Sequence, residues 1–282
     1  MRSAAWFAFA AVTLVLVPGA AASGPSLPAV DGGAGVEATS SGVHYVTLSA
    51  GPSTRLVART NNGRVLRSAS VPGAWGIPMV TFDGGTGGLS PDGHVLVLSD
   101  NVRPNGAPRI RSRFAVIRTR TLEPTGTVSL HGDFSFDALS PQGGTLFLIS
   151  HVSRTDLTKY QVRAYDLSAG RLLPRVIADK RQEGWIMNGW PVTRATTANG
   201  RWVYTLYRQD NNYPFIHALD TVRGVAHCIG VPWRGGENEP WDMRLALRLD
   251  GKSLAVNRKS GAGFVAIDFA NWKISYLDGS SG

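Results

Sequence analysis

One short phrase recurs along this chain and narrows what it can fold into. Residues 89–93 read Leu-Ser-Pro-Asp-Gly and lead into "HVLVLSD", and residues 139–143 read Leu-Ser-Pro-Gln-Gly and lead into "GTLFLIS". Looser versions, "TANG" ending at Gly200 and "RLDG" ending at Gly251, lead into "RWVYTLY" and "KSLAV". The four turn glycines, Gly93, Gly143, Gly200 and Gly251, stand 50, 57 and 51 residues apart. Proline and glycine set the backbone angles of a tight turn, and Asp or Asn caps it. An apolar run without polar alternation is a strand buried on both faces.

A second hairpin follows each of these strands: "RFAVIRTRTLEPTGTVSLH", "VRAYDLSAGRLLPRVI", "FIHALDTVRGVAHCIGV" and "FVAIDFANWKISYL". In three of them Asp166, Asp220 or Asp268 closes the first strand, where a carboxylate can bond the turn backbone. Each unit therefore reads strand, glycine turn, strand, loop, strand, turn, strand. Four strands every 50 residues or so, with no helical periodicity, is the pattern of β-propeller blades. The expected fold is all-β, a propeller of about five four-stranded blades, or six if an irregular blade intervenes. A first unit at residues 43–71 supplies three strands and lacks an innermost one, unless residues 31–42 provide it.

The motif, with its "(A/V)-x-D-x-x-x-G-x-(V/L)" hairpins, resembles the WD-repeat-like propellers of the TolB and YVTN type, over residues 43–282. That resemblance implies the fold and an exported bacterial protein. It implies no activity, since such propellers include scaffolds, lactonases and peptidase partner domains.

The N-terminus fits export. Arg2, an apolar run of 14 residues from Ala4 to Val17, a Pro-Gly break and Ala20-Ala21-Ala22 make the three parts of a secretory signal. The run is short for a membrane span, which needs about 20 residues. The expected organisation is a signal peptide at 1–22, a flexible leader at 23–42 and a single propeller domain at 43–282. Cys228 is the one cysteine, so stability must come from the core rather than from a disulfide. A charge of +9 is mostly arginine, and six arginines crowd into 103–120 (Arg103, Arg109, Arg111, Arg113, Arg118, Arg120). They read as a solvated hairpin or as a patch for anionic envelope polymers; nucleic acid is not an expected partner of an exported protein.

No nucleophile elbow, zinc-protease helix or cysteine pair is present. His217 and His227 are expected to face each other across one hairpin, with Cys228 on the opposite side. The channel mouth is the place to look for a ligand, because inner strands line a propeller's axis. Counting ten residues back from each turn glycine gives Asp83, Asp133, Trp190 and Trp241, and counting six back gives Asp137 and Arg194; Asp242 adjoins Trp241. These residues either plug and cap the ring or form a ligand-binding mouth of carboxylates and aromatic faces. Asp83, Asp133 and Asp137 are the candidates if a metal binds, with Ca²⁺ the ion that propeller lactonases suggest. Two functions follow: a non-catalytic binding or scaffold module of the cell envelope, monomeric and with a protein or polymer partner, or a metal-dependent hydrolase or lactonase working at the channel mouth.

Overall fold

A computed structural model describes residues 27, 29–32, 35–38, 41–100, 108–179, 186–210, 213–233, 239–247 and 252–277. The signal at 1–22, Arg103 and the turn at Gly251 lie outside the described residues. The chain is a five-bladed β-propeller. Each blade is an antiparallel sheet whose strands follow chain order from the axis outward. Blade one holds Val36–Ala38, Val43–Ala50, Ser53–Thr60 and Val65–Pro72. Blade two holds Trp75–Pro78, Val95–Asp100, Arg111–Arg118 and Glu123–His131. Blade three holds Phe134–Leu139, Thr145–His151, Lys159–Asp166 and Arg171–Ile177. Blade four holds Trp190–Thr196, Trp202–Arg208, Phe215–Asp220 and Val225–Gly230, and blade five holds Met243–Leu247, Ser253–Arg258, Gly263–Asp268 and Ile274–Tyr276.

The missing inner strand of the first blade is Val36–Ala38, paired with Tyr45 to Val43. Part of the expected leader is thus built into the ring. Upstream of it, Ala29–Val30 pairs with Ile77 and Pro78 of blade two, and Gly32 N–H donates to Thr47 O of blade one.

Side chains alternate across each sheet, and both faces are covered. In blade three, Leu146 and Leu148 join the cluster shared with blade two, while Phe147 between them joins the cluster shared with blade four. Hydrophobic clusters fill the spaces between blades one and two, two and three, three and four, and four and five. On the remaining faces, Val46 and Val57 of blade one and Ala255 and Ala266 of blade five are buried as well.

The repeated phrase proves to be one hydrogen-bonded device. In blade two, Gly93 N–H donates to Ser90 O (2.8 Å) and Ser90 Oγ accepts from Val95 N–H (2.9 Å). In blade three, Gly143 donates to Ser140 O (2.8 Å) and Ser140 Oγ accepts from Thr145 N–H (2.9 Å). "TANG" departs in letters and not in chemistry: Gly200 donates to Thr197 O (2.7 Å), and Thr197 Oγ1 accepts from Trp202 N–H (3.0 Å). The hairpin aspartates also act as expected, with Asp166, Asp220 and Asp268 each accepting backbone N–H groups of the turn that follows.

These turns converge around the axis. Gly200 has φ of +68° and lies so close to blade two that a Cβ there would fall 1.9 Å from Pro91 Cγ. Gly51 has a similar φ of +66° and open space around it. Gly51→Ala should therefore lose about 1 kcal/mol from backbone strain. Gly200→Ala should lose about 2–4 kcal/mol, because overpacking adds to that strain. Chemical denaturation of the two variants reads the difference, and equal losses would contradict close turn packing at the axis.

Candidate functional site

Blade two departs from the simple repeat at its inner strand. After Pro78 the chain leaves the sheet in a small hairpin and returns at Gly87, whose N–H donates to Pro78 O (2.8 Å). Val80 N–H donates to Gly85 O at the same distance of 2.8 Å. The tip of this hairpin crosses the axis: Phe82 N–H donates to Pro191 O (2.9 Å) and Asp83 N–H to Val192 O (3.1 Å) of blade four.

The crossing places Phe82 between two tryptophans. Its ring meets Trp190 edge-on at 5.7 Å and Trp241 at 5.6 Å, and the Arg208 guanidinium stands over Trp241 at 5.6 Å. Trp241 and Asp242 belong to a short 3-10 turn, Glu239–Asp242, that delivers the chain to blade five. At this end of the ring, the loop end, inter-blade connections enter the inner strands. An aromatic cap closes it, with Phe82 partly exposed and Trp190 and Trp241 half-buried.

The carboxylates do not converge. Asp83 Oδ1 accepts from Thr81 Oγ1 (2.6 Å) and Gly85 N–H (3.2 Å), and its Oδ2 faces Arg244 Nε at 3.8 Å. Asp133 is buried and accepts from Arg109 Nε at 2.7 Å. Arg109 also reaches Ser135 Oγ (3.1 Å) and Asp100 Oδ1 (3.5 Å). Burial raises the Asp100 carboxyl above its ordinary pKa, against the pull of Arg109 and Arg113. Asp137 is the extra residue of a β-bulge between Phe136 and Ala138. It forms a buried ion pair with Arg194 of the next blade, whose guanidinium also bonds Asp137 O and Thr205 Oγ1. Among the described residues no three His, Cys, Asp or Glu side chains stand close enough together to hold a metal ion.

One other expectation changes. His217 pairs with Cys228 across the strands, its Nδ1 3.9 Å from Sγ, whereas His227 pairs with Ala218 and faces Trp202 and Trp272. The register differs from the expected one by a single residue, and such a slip moves every side chain to the other face. Of the two readings of the arginines in 103–120, the described ones, Arg109 to Arg120, fit the hairpin rather than one patch. Arg109 and Arg113 pair with Asp100, and Arg118 lies opposite Glu123 in the register. Arg111 and Arg118 are seven residues apart on one strand, so about 23 Å separates them.

The opposite, turn end of the axis is open. A cavity of about 280 Å³ lies among Val36, Ser90, Leu139, Thr196 and Val203, with Asp137 and Arg194 in its wall. A second cavity of about 20 Å³ lies deeper, lined by Leu27, Asp137, Tyr160 and Arg194 among others. The recurring turns were the available sequence signal, since they gather the ends of the inner strands around this space.

No family model matches the chain, and no curated protein matches it. Among solved structures it is similar to TolB from Acinetobacter baumannii at 13% identity, covering 83% of this chain and 53% of that one, with a TM-score of 0.41. A putative 6-phosphogluconolactonase from Bacteroides uniformis gives 15% identity, 85% and 68% coverage and a TM-score of 0.45. The Cps50 β-propeller domain of Myceliophteria thermophila gives 10% identity, 84% and 64% coverage and a TM-score of 0.43. The chain thus spans about half the length of that TolB. At TM-scores under 0.5 these likenesses add nothing to what the sheets themselves show.

Two outcomes follow from the axial electrostatics. Removing one partner of a buried ion pair leaves an uncompensated charge, so Arg194→Met should cost about 3–5 kcal/mol in a denaturant titration at pH 7. Burial lowers the His217 pKa from 6.5 to about 4. Between those values the unfolded chain binds the extra proton, so stability present above pH 6.5 is lost as pH falls towards 4. His217→Gln should therefore lose about 2–3 kcal/mol less than wild type between pH 7 and 4.5. An unchanged slope would show that His217 titrates normally.

Proposed function

We propose that this chain is an exported, non-catalytic binding or scaffold module of the bacterial cell envelope, and that it holds its partner at the loop end of the propeller. The observation that carries this reading is the aromatic cap. Phe82, Trp190 and Trp241 meet edge-to-face on the axis, partly open to solvent, with Arg208, Asp210, Arg244 and Asp242 around them. An aromatic centre with a charged rim is the composition of a binding hot spot. Export rests on the signal-like residues 1–22; among the described residues no helix is long and apolar enough to cross a membrane.

The metal-dependent hydrolase reading required Asp83, Asp133 and Asp137 to share an ion. Each faces its own arginine instead, Arg244, Arg109 and Arg194 respectively, and no observation favours that alternative.

The test is cross-linking in intact cell envelopes with wild-type protein and Phe82→Asp. Wild type is expected to capture a discrete partner that the variant loses. The variant should give up about 2–4 kcal/mol of stability, from two ring contacts and the apolar area they cover, and circular dichroism checks that it stays folded. Undiminished capture by Phe82→Asp, or capture of nothing by wild type, would contradict the reading.

A further inference from the structure

The unpaired atoms of the aromatic cap carry the reading one step further. We infer that the loop-end face takes an extended, proline-rich peptide segment, lying across Phe82 and accepting hydrogen bonds from Trp190 and Trp241. This inference rests on the proposal above that the face binds a partner.

The unmatched donors of the cap point to that chemistry. The indole N–H of Trp75 donates to Pro72 O at 2.6 Å. Those of Trp190 and Trp241 donate to no acceptor among the described residues, and both rings are half-buried at the face. Acceptors around them are already engaged. Pro191 O accepts from Phe82 N–H, Asp83 accepts from Thr81 and Gly85 and faces Arg244, and Asp210 pairs with Arg208. The face therefore offers N–H donors and aromatic faces. A proline-rich strand is the complementary ligand: its residues lack N–H groups, its carbonyls point outward, and its rings pack on aromatic side chains. Its fixed backbone also lowers the entropy lost on binding. A sugar's hydroxyls are donors as much as acceptors and match a set of N–H donors less closely than a row of carbonyls without N–H partners.

A further observation agrees. Asp242 stands at the rim without an ion-pair partner among the described residues, which favours a basic residue beside the prolines.

Isothermal titration of the full-length exported protein tests this with three probes: an acetylated hexaproline peptide ending in arginine, a Gly-Ser peptide of equal length and charge, and a chitin trisaccharide. The proline peptide is expected to bind at least tenfold more tightly than the Gly-Ser peptide, with no heat from the sugar. Trp190→Phe and Trp241→Phe keep the ring and remove the donor, and each should weaken binding about fivefold, the worth of one hydrogen bond. Equal binding of the two peptides, preference for the sugar, or full binding by both variants would overturn the inference. If Phe82→Asp loses an envelope partner while the proline peptide fails to bind wild type, the ligand class is wrong and the face remains a binding site. If both fail, the binding role of the face falls as well.

Discussion

Leu96 and Val97 are neighbours on one strand, point to opposite faces of their sheet, and are both fully buried. That constraint governs the rest of the molecule. A four-stranded sheet with two apolar faces cannot stand in water, and it needs a similar sheet on either side. Leu96 packs into the cluster with blade one and Val97 into the cluster with blade three. Val203 and Tyr204 divide in the same way between blades three and five. Burying such side chains contributes about 1.5–3 kcal/mol each. A chain with one cysteine has this stacking to hold it together.

Stacking sheets around an axis solves one problem and creates another. The inner strands bring polar backbone and side chains together in a narrow space. The molecule meets this with paired charges and with its own chain. Arg194 neutralises Asp137 across the blade boundary, Arg109 does so for Asp133, and the hairpin from Pro78 to Gly87 lays its backbone N–H groups on carbonyls of blade four. The same hairpin sets Phe82 against Trp190 and Trp241. The candidate binding face is thus a consequence of how the axis is closed.

The repeating turn was the legible part of this fold. Ser or Thr, then a Gly three residues on, sets one pattern of hydrogen bonds in three blades, and the hairpin aspartates fall where side-chain chemistry needs them. What stayed hidden depends on single-residue offsets. The face shared by His217 and Cys228 turns on a register that no local feature of that hairpin specifies. Asp83 and Asp133 are equivalent by counting, yet an excursion carries Asp83 across the axis while Asp133 directly precedes the inner strand of its blade. The bulge at Asp137, which aims its carboxylate at Arg194, has no sequence signal of its own. Trp190 and Trp241 were found by their position at the strand starts; Phe82, which joins them, was not.

The most direct measurement is solvent exchange at the indole N–H groups, followed by NMR on the labelled protein. If the loop-end cap is an open donor surface, Trp190 and Trp241 exchange rapidly, while Trp75, bonded to Pro72 O, is protected. Protection of Trp190 and Trp241 comparable to that of Trp75 would show the cap to be a sealed plug, and would contradict its assignment as the binding face.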